Sequence, residues 1–398
     1  MIISASNFVM HFCLIRWLSP EGYGKFVFIY SIGLFFMGIQ NSLIFEPMLV
    51  IGAHNYERRI KKYLDATMIF SAILSILIGF ILLFTFSFHT KAFALALYIF
   101  GVAGFMLMRN ASYMIHKPSL AFKASFCYPI ILVCLILIFR FEKLLSPETA
   151  LLIISFSSIA VSLILRILLL SKIDDSLEEN IPTVTKEKKL LSQVFHDHWE
   201  YGKWRFGGTI NGWFNSLFYV PLIYTILGPV QAGAYKAIET LIDPLRRMLG
   251  ALTMLIIPWI TKNIKQGGKK YAKKATVKLI LIFLSLTLIF TGGILLFGKQ
   301  IVLLVYKKEL YLDYLWLLPW MCVLLFINAI NMSFGMIFSA QKITNIGFFI
   351  GLLNTLFTLT IGIYLVKHYG LQGVVTAMII NTLIGFSITA YIYKILHK

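Results

Sequence analysis

Twelve stretches of 14 or more residues contain no Asp, Glu, Lys or Arg, the longest running from 66 to 90, 206 to 235, 314 to 341 and 368 to 393. A helix needs roughly 20 residues to cross the hydrocarbon core of a bilayer. Most of these stretches approach or exceed that length. The shorter ones borrow a turn from residues beyond a flanking charge, whose long side chain snorkels to the interface. The chain is 59% hydrophobic and 13% charged, about half the charged share of a soluble domain, which excludes a water-soluble fold. The strict period-two alternation of a membrane barrel is absent, and with no water in the core only helices can satisfy their own backbone. The expected fold class is all-α: a polytopic membrane protein with about 12 transmembrane helices.

A net charge of +19 in such a chain is a question of placement. Of the 36 Lys and Arg, 24 fall in the even-numbered connections and the C-terminus, ten in the odd-numbered ones (Lys236 counted there), and Arg246 with Arg247 inside a span. The positive-inside rule then puts the even connections and both termini in the cytoplasm. The basic surface reads as topology and anionic-lipid contact, with no nucleic acid as partner. Cys13, Cys127, Cys134 and Cys322 lie in apolar spans without CxxC spacing, so neither a disulfide framework, a metal nor a cofactor is expected. The first stretch has no basic n-region and reads as a retained helix. It reaches the Ser19-Pro20 turn after only 18 residues, and the expectation is that the start clips a few residues from helix one.

Every connection is short except that from about Ser171 to Lys203, which carries Asp174, Asp175, Glu178, Glu179, Pro182 and Lys186 to Lys189. The expected organisation is an N-terminal six-helix half at 1–171, a cytoplasmic linker at 172–203, and a C-terminal six-helix half at 204–398. Within the linker, Leu190, Leu191, Val194, Phe195 and His198 fall at helical spacing downstream of lysines, the pattern of an amphipathic helix on the inner leaflet. A repeat supports the halves: Leu18-Ser-Pro20-Glu-Gly-Tyr-Gly24-Lys-Phe26 matches Leu227-Gly-Pro229-Val-Gln-Ala-Gly233-Ala-Tyr235 at an offset of 209 residues. Each copy follows an odd span and opens an even one. Both fall on the same side of the membrane, so the halves are read as parallel, pseudo-symmetric repeats enclosing a central site.

These residues, with Trp204-Arg-Phe-Gly207 opening span seven, Asp243-Pro244 and Pro258 in span eight, and Tyr369-Gly-Leu-Gln-Gly373 before span twelve, resemble the polysaccharide transporter family. That family contains the O-antigen and other lipid-linked oligosaccharide flippases of the multidrug/oligosaccharidyl-lipid/polysaccharide exporter (MOP) superfamily. The resemblance covers nearly the whole chain. It implies a MATE/MOP-like fold that moves a polyprenyl-diphosphate-linked oligosaccharide from the cytoplasmic to the outer leaflet of a bacterial inner membrane, with a polysaccharide polymerase and a chain-length regulator as partners. The short first span and Glu46-Pro47 in span two depart from the family pattern.

The sharpest local signal lies in span eight, where Glu239, Asp243, Arg246, Arg247 and Gly250 share one helical face. A charge at bilayer centre costs at least about 2.5 kcal/mol, so these groups are expected to face a wet cavity or one another. One reading gives the diphosphate of the lipid carrier to a guanidinium fork, in competition with Asp243. The other is an internal salt bridge. In span seven, Asn211 and Asn215, with Trp213 off their face, offer hydrogen bonds and a stacking surface to sugars, or interhelical bonds only. Asn328, Asn331, Asn354 and Asn381 in the last three spans fit either account and are scattered along the chain.

Glu46 is an isolated membrane carboxyl and the candidate for ion coupling; pairing with Arg58 or Arg59 is the alternative. Pro47 beside it frees the carbonyl four residues back. His196 and His198 are about 200° apart on a helix, wrong for a metal pair, and read as a solvated helix start. Neither a P-loop nor GxSxG is present, so no enzyme is expected. A cation-coupled drug exporter would need a cavity richer in carboxylates. A membrane-embedded polysaccharide-processing enzyme would need a large outer loop or a catalytic His/Asp pair.

Overall fold

The computed structural model describes all residues except 1, 53–54, 57–58, 86–89, 173–183, 342, 344 and 397–398. Its main elements are α1 (Ile2–Trp17), α2 (Pro20–Gln40), α3 (Ile60–Thr85), α4 (Thr90–Met114), α5 (Pro118–Phe141) and α6 (Pro147–Leu170). They continue with α7 (Val184–Ser216), α8 (Tyr219–Leu227), α9 (Pro229–Ile301), α10 (Leu317–Ala340), α11 (Asn345–Phe357) and α12 (Ile363–Leu396). No strand occurs among the described residues. The helices α9 and α12 break at Gly268 and Gly370, so each contributes to two passes, while α7 and α8 share one. Among the described residues, eight stretches are long and apolar enough to cross a membrane; that from Ile346 to Leu396 holds two of the expected spans. The others expected are short (α1), interrupted (α7 with α8), or carry the charged face of span eight. Phe84, Ile167 and Leu296 are each at least 70% exposed, a surface suited to acyl chains rather than water.

By contacts the chain forms two compact units, one joining residues 3–27 to 214–398 and the other holding 28–213. The packing units therefore divide the chain at points other than its longest connection.

In the first unit the repeated turns lie against each other. Ser19 caps α2, its hydroxyl accepting from the Gly22 N–H at 3.0 Å, with Pro20 at the first helical position. The second copy uses Gly228 at φ +98° before Pro229, a left-handed turn that only glycine adopts freely. A Cβ on Gly24 would collide with the Pro229 carbonyl, and one on Gly233 would sit 2.7 Å from the Pro20 carbonyl oxygen. The two matched glycines thus make reciprocal contacts, each on the other copy's proline.

In the second unit, α2 passes into π turns at Asn41–Phe45 and Met48–Gly52 on either side of Glu46-Pro47. Pro47 has no N–H for the Leu43 carbonyl. His198 supplies the missing donor, with Nδ1 3.2 Å from that oxygen. A carbonyl only accepts, so Nδ1 carries the proton and Nε2 accepts from the Tyr63 hydroxyl at 2.8 Å. Tyr56 stacks on Tyr63 with ring centroids 4.4 Å apart and donates to Asp197 at 2.7 Å. Gly202 allows the approach, since a Cβ there would lie 2.8 Å from the Ser42 carbonyl oxygen.

This corrects the expectation of a solvated helix start, because His198 is wholly buried. The amphipathic reading is also sharpened. Leu190, Val194 and His198 form the buried stripe, while Leu191 and Phe195 are exposed and the helix runs unbroken into span seven. The acidic part of the linker lies outside the described residues.

Gly24→Val and Gly233→Val should each lower the melting temperature of the purified protein by several degrees, since overpacking costs about 1–3 kcal/mol. Gly292→Ala, where a Cβ meets nothing, should leave it unchanged. Burial pulls the His198 imidazole from its ordinary 6.5 down to about 4, against the opposing pull of the Leu43 carbonyl and Asp197. Above pH 6.5 the ring is neutral whether docked or released, and docking is at full strength. As pH falls toward 4 only the released ring takes a proton, a loss of roughly 3 kcal/mol when complete. Hydrogen exchange in residues 190–205, corrected for intrinsic rate, should therefore quicken between pH 7 and pH 5, and His198→Gln should remove that dependence.

Candidate functional site

Span eight begins at Pro229, and its first turns carry ionisable groups at intervals of three and four. Glu239 is 6% exposed and accepts from two cations: Lys236 Nζ at 2.9 Å and Arg246 Nη1 at 2.7 Å. Asp243 stands 3.8 Å from Lys236 and 3.7 Å from Arg246. The helical rise explains the geometry. Lys236 lies one turn before Glu239 and reaches forward, Arg246 lies two turns after it and reaches back, and the two meet the acids along the same face. Pro244, within this stretch, removes the N–H that would bond the Thr240 carbonyl. The Thr240 hydroxyl itself donates to the Lys236 carbonyl at 2.7 Å.

Lys236 is the member that the sequence reading missed, because it was counted among the basic residues of an outer connection. Its signal was present: it lies three residues before Glu239 and seven before Asp243 on the same stripe. Counting it changes the electrostatics. Lys236, Arg246 and Arg247 against Glu239 and Asp243 sum to +1 instead of zero. Arg246 takes the acid partners of this helix, while Arg247 is exposed and lies within electrostatic range of His11 on α1. His11 is buried and shares a 3.0 Å hydrogen bond with the Tyr23 hydroxyl.

Glu239 and Arg246 form part of the wall of a cavity of about 470 Å³, together with Asn215. The Asn215 amide donates to the Gly351 carbonyl at 3.0 Å and to the Thr355 hydroxyl at 3.3 Å. Four more asparagines, 328, 331, 354 and 381, reach the same cavity from α10, α11 and α12. The fold thus gathers amides that lie far apart along the chain.

The remaining residues singled out from the sequence stand elsewhere. Asn211 is buried and, with Trp213, belongs to the unit of residues 28–213. Trp213 donates its indole N–H to the Ser31 carbonyl at 3.1 Å and packs on Phe35. Glu46 pairs with Arg205 at 2.6 Å and accepts from the Asn41 amide at 3.1 Å. Of the two alternative partners, Arg58 and Arg59, the first lies outside the described residues. No cluster of three or more His, Cys, Asp or Glu suited to a metal occurs among the described residues.

A family model described as polysaccharide biosynthesis protein matches residues 1–264. No curated protein matches the chain. Among solved structures, an inward-facing multidrug resistance MATE family transporter of the MOP superfamily superposes with a TM-score of 0.72 at 16% identity, covering 99% of this chain and 95% of that one. The lipid II flippase MurJ, in an inward closed conformation, gives 0.71 at 13% identity, covering 98% and 86%. A MOP superfamily transporter from Pyrococcus furiosus gives 0.60 at 17% identity, covering 100% and 94%. At such identities the structures speak for the fold, while the family match covers most of the sequence. The chain belongs to the polysaccharide biosynthesis protein family and has the all-helical fold of MOP superfamily transporters.

Proposed function

We propose that the protein is a flippase that moves a polyprenyl-diphosphate-linked oligosaccharide from the cytoplasmic to the outer leaflet of a bacterial inner membrane. The cargo serves surface polysaccharide synthesis (O-antigen, capsule or exopolysaccharide), and two six-helix halves, 1–171 and 204–398, alternate access to it. Both termini lie in the cytoplasm, and a polysaccharide polymerase and chain-length regulator receive the product. The observation that carries this reading is the charged group on span eight: a net positive cluster, part of it on the wall of a polar cavity, in a chain otherwise built for lipid.

A diphosphate brings oxygens that match a guanidinium fork. Removing one partner from a buried ion pair ordinarily costs about 3–5 kcal/mol, because a charge is left stranded. Here Glu239 is held twice. When Arg246 turns to the phosphate, Lys236 stays with the carboxylate, so the exchange strands no acid. Exposed Arg247 offers the first contact, Arg246 the second, and Asp243 the local competitor. Asn215 on the cavity wall, and Asn211 with Trp213 in the preceding turn, are proposed to contact the saccharide. Glu46 is proposed as the ion-coupling carboxyl.

A multidrug exporter with the same fold is the second reading, favoured only by the MATE transporter among the structural neighbours. The net positive cluster argues against a cationic drug.

The double variant Arg246→Gln/Arg247→Gln should cut surface polysaccharide at least tenfold while the protein remains in the membrane at normal abundance; unchanged export removes the flippase reading. Glu46→Gln should abolish export driven by a pH gradient imposed on vesicles. Retained coupling would assign that carboxylate to the Arg205 pair alone.

A further inference from the structure

We infer that the amide-lined cavity in the unit of residues 214–398 is a saccharide subsite: it takes a hydroxyl-rich sugar residue of the cargo, and its asparagine carbonyls select it. The inference rests on the flippase reading above and adds where the sugar is recognised.

Three acceptors carry the argument. The Oδ1 atoms of Asn331, Asn354 and Asn381 are buried and have no hydrogen-bond partner among the described residues, and all three asparagines line the one cavity. Asn381 is 6% exposed. Its orientation is tied down on the other side, where its Nδ2 donates to the Thr358 hydroxyl at 3.2 Å. That hydroxyl in turn donates to the Asn354 backbone carbonyl at 2.9 Å, so the side-chain oxygen of Asn381 is the end left without a partner. Buried polar groups without partners are rare in native structures. Three unpaired acceptors, on asparagines that all line one space, call for a ligand that arrives with donors.

Size and charge narrow the ligand. At 470 Å³ the space falls within the roughly 300–1,000 Å³ of small-molecule sites and far exceeds the roughly 30 Å³ share of one water. A metal cation would need about six or more oxygens converging on one point, whereas this wall includes the Arg246 guanidinium. Glu239, its acidic residue, already holds two cations. An isoprenoid chain brings no donors. A sugar ring brings several hydroxyls, each donor and acceptor, and suits both the carbonyls and the guanidinium.

Gly335 and Gly347 also line the cavity, and a Cβ on either meets no atom within 4 Å. Larger residues there would occupy the space without disturbing the packing around it.

The test uses the full-length protein in lipid nanodiscs. A panel of methyl glycosides of hexoses and N-acetylhexosamines is titrated by saturation-transfer NMR, and a polyprenyl monophosphate is titrated separately. At least one glycoside should bind. Its affinity should fall tenfold or more in Asn354→Ala/Asn381→Ala and in Gly347→Leu, with polyprenyl phosphate affinity within twofold of the parent. Gly335→Leu repeats the occlusion without touching an asparagine, so misfolding of the amide variant does not decide the outcome. No glycoside binding, or binding indifferent to both leucine variants, overturns the inference. So does a sodium-dependent melting shift that the asparagine changes remove while glycosides have no effect. Failure of polyprenyl phosphate to bind the parent protein would count against the flippase reading, and the glycoside titrations would still decide the pocket.

Discussion

Hydrocarbon offers no hydrogen bonds, so every amide, carbonyl and charge carried into the membrane must find its partner within the protein. Much of the detail in this fold follows from that constraint. Hydroxyls of Ser155, Ser157 and Thr291 turn back to the carbonyl four residues earlier. The carbonyl that Pro47 leaves open draws in an imidazole from a distant helix. That single bond fixes the tautomer of His198, brings Tyr63 to its other nitrogen, and seats the middle of α7 against the π turns of α2. A proline that weakens one helix thus specifies where another docks.

The same constraint shapes the charges of span eight. Two acids and two bases within one helix share a compact lattice, and the third base is left in the exposed position beside them. Compared with a lone buried pair, this arrangement can exchange partners step by step, since each carboxylate keeps a cation when one guanidinium is drawn away. Burial and adaptability are compatible here because the groups share one helical stripe and need no second element to bring them together.

Features carried by local pattern were readable before any coordinates. Charge-free runs marked the helices, the Pro and Gly of the repeated turn marked the matched helix entries, and the spacing from Glu239 to Arg246 marked the stripe. The freed Leu43 carbonyl was readable too, but the group that fills it was not, because 155 residues separate it from His198 and nothing local links them. Lys236 escaped notice because a lysine near a span end obeys the positive-inside count equally well as a loop residue or as a buried partner; its distance from two carboxylates decides between them. Asn331, Asn354 and Asn381 sit on three different helices, and a one-dimensional reading has no means of seeing that they face one space.

The glycines at 335 and 347 carry an implication for diversification. In most tightly packed proteins a change in the shape of a pocket disturbs the scaffold, because new atoms press on old ones. At these two positions a growing side chain enters vacant volume instead. A lineage bearing this architecture can therefore narrow or reshape this cavity by single substitutions, while the surrounding helices stay as they are.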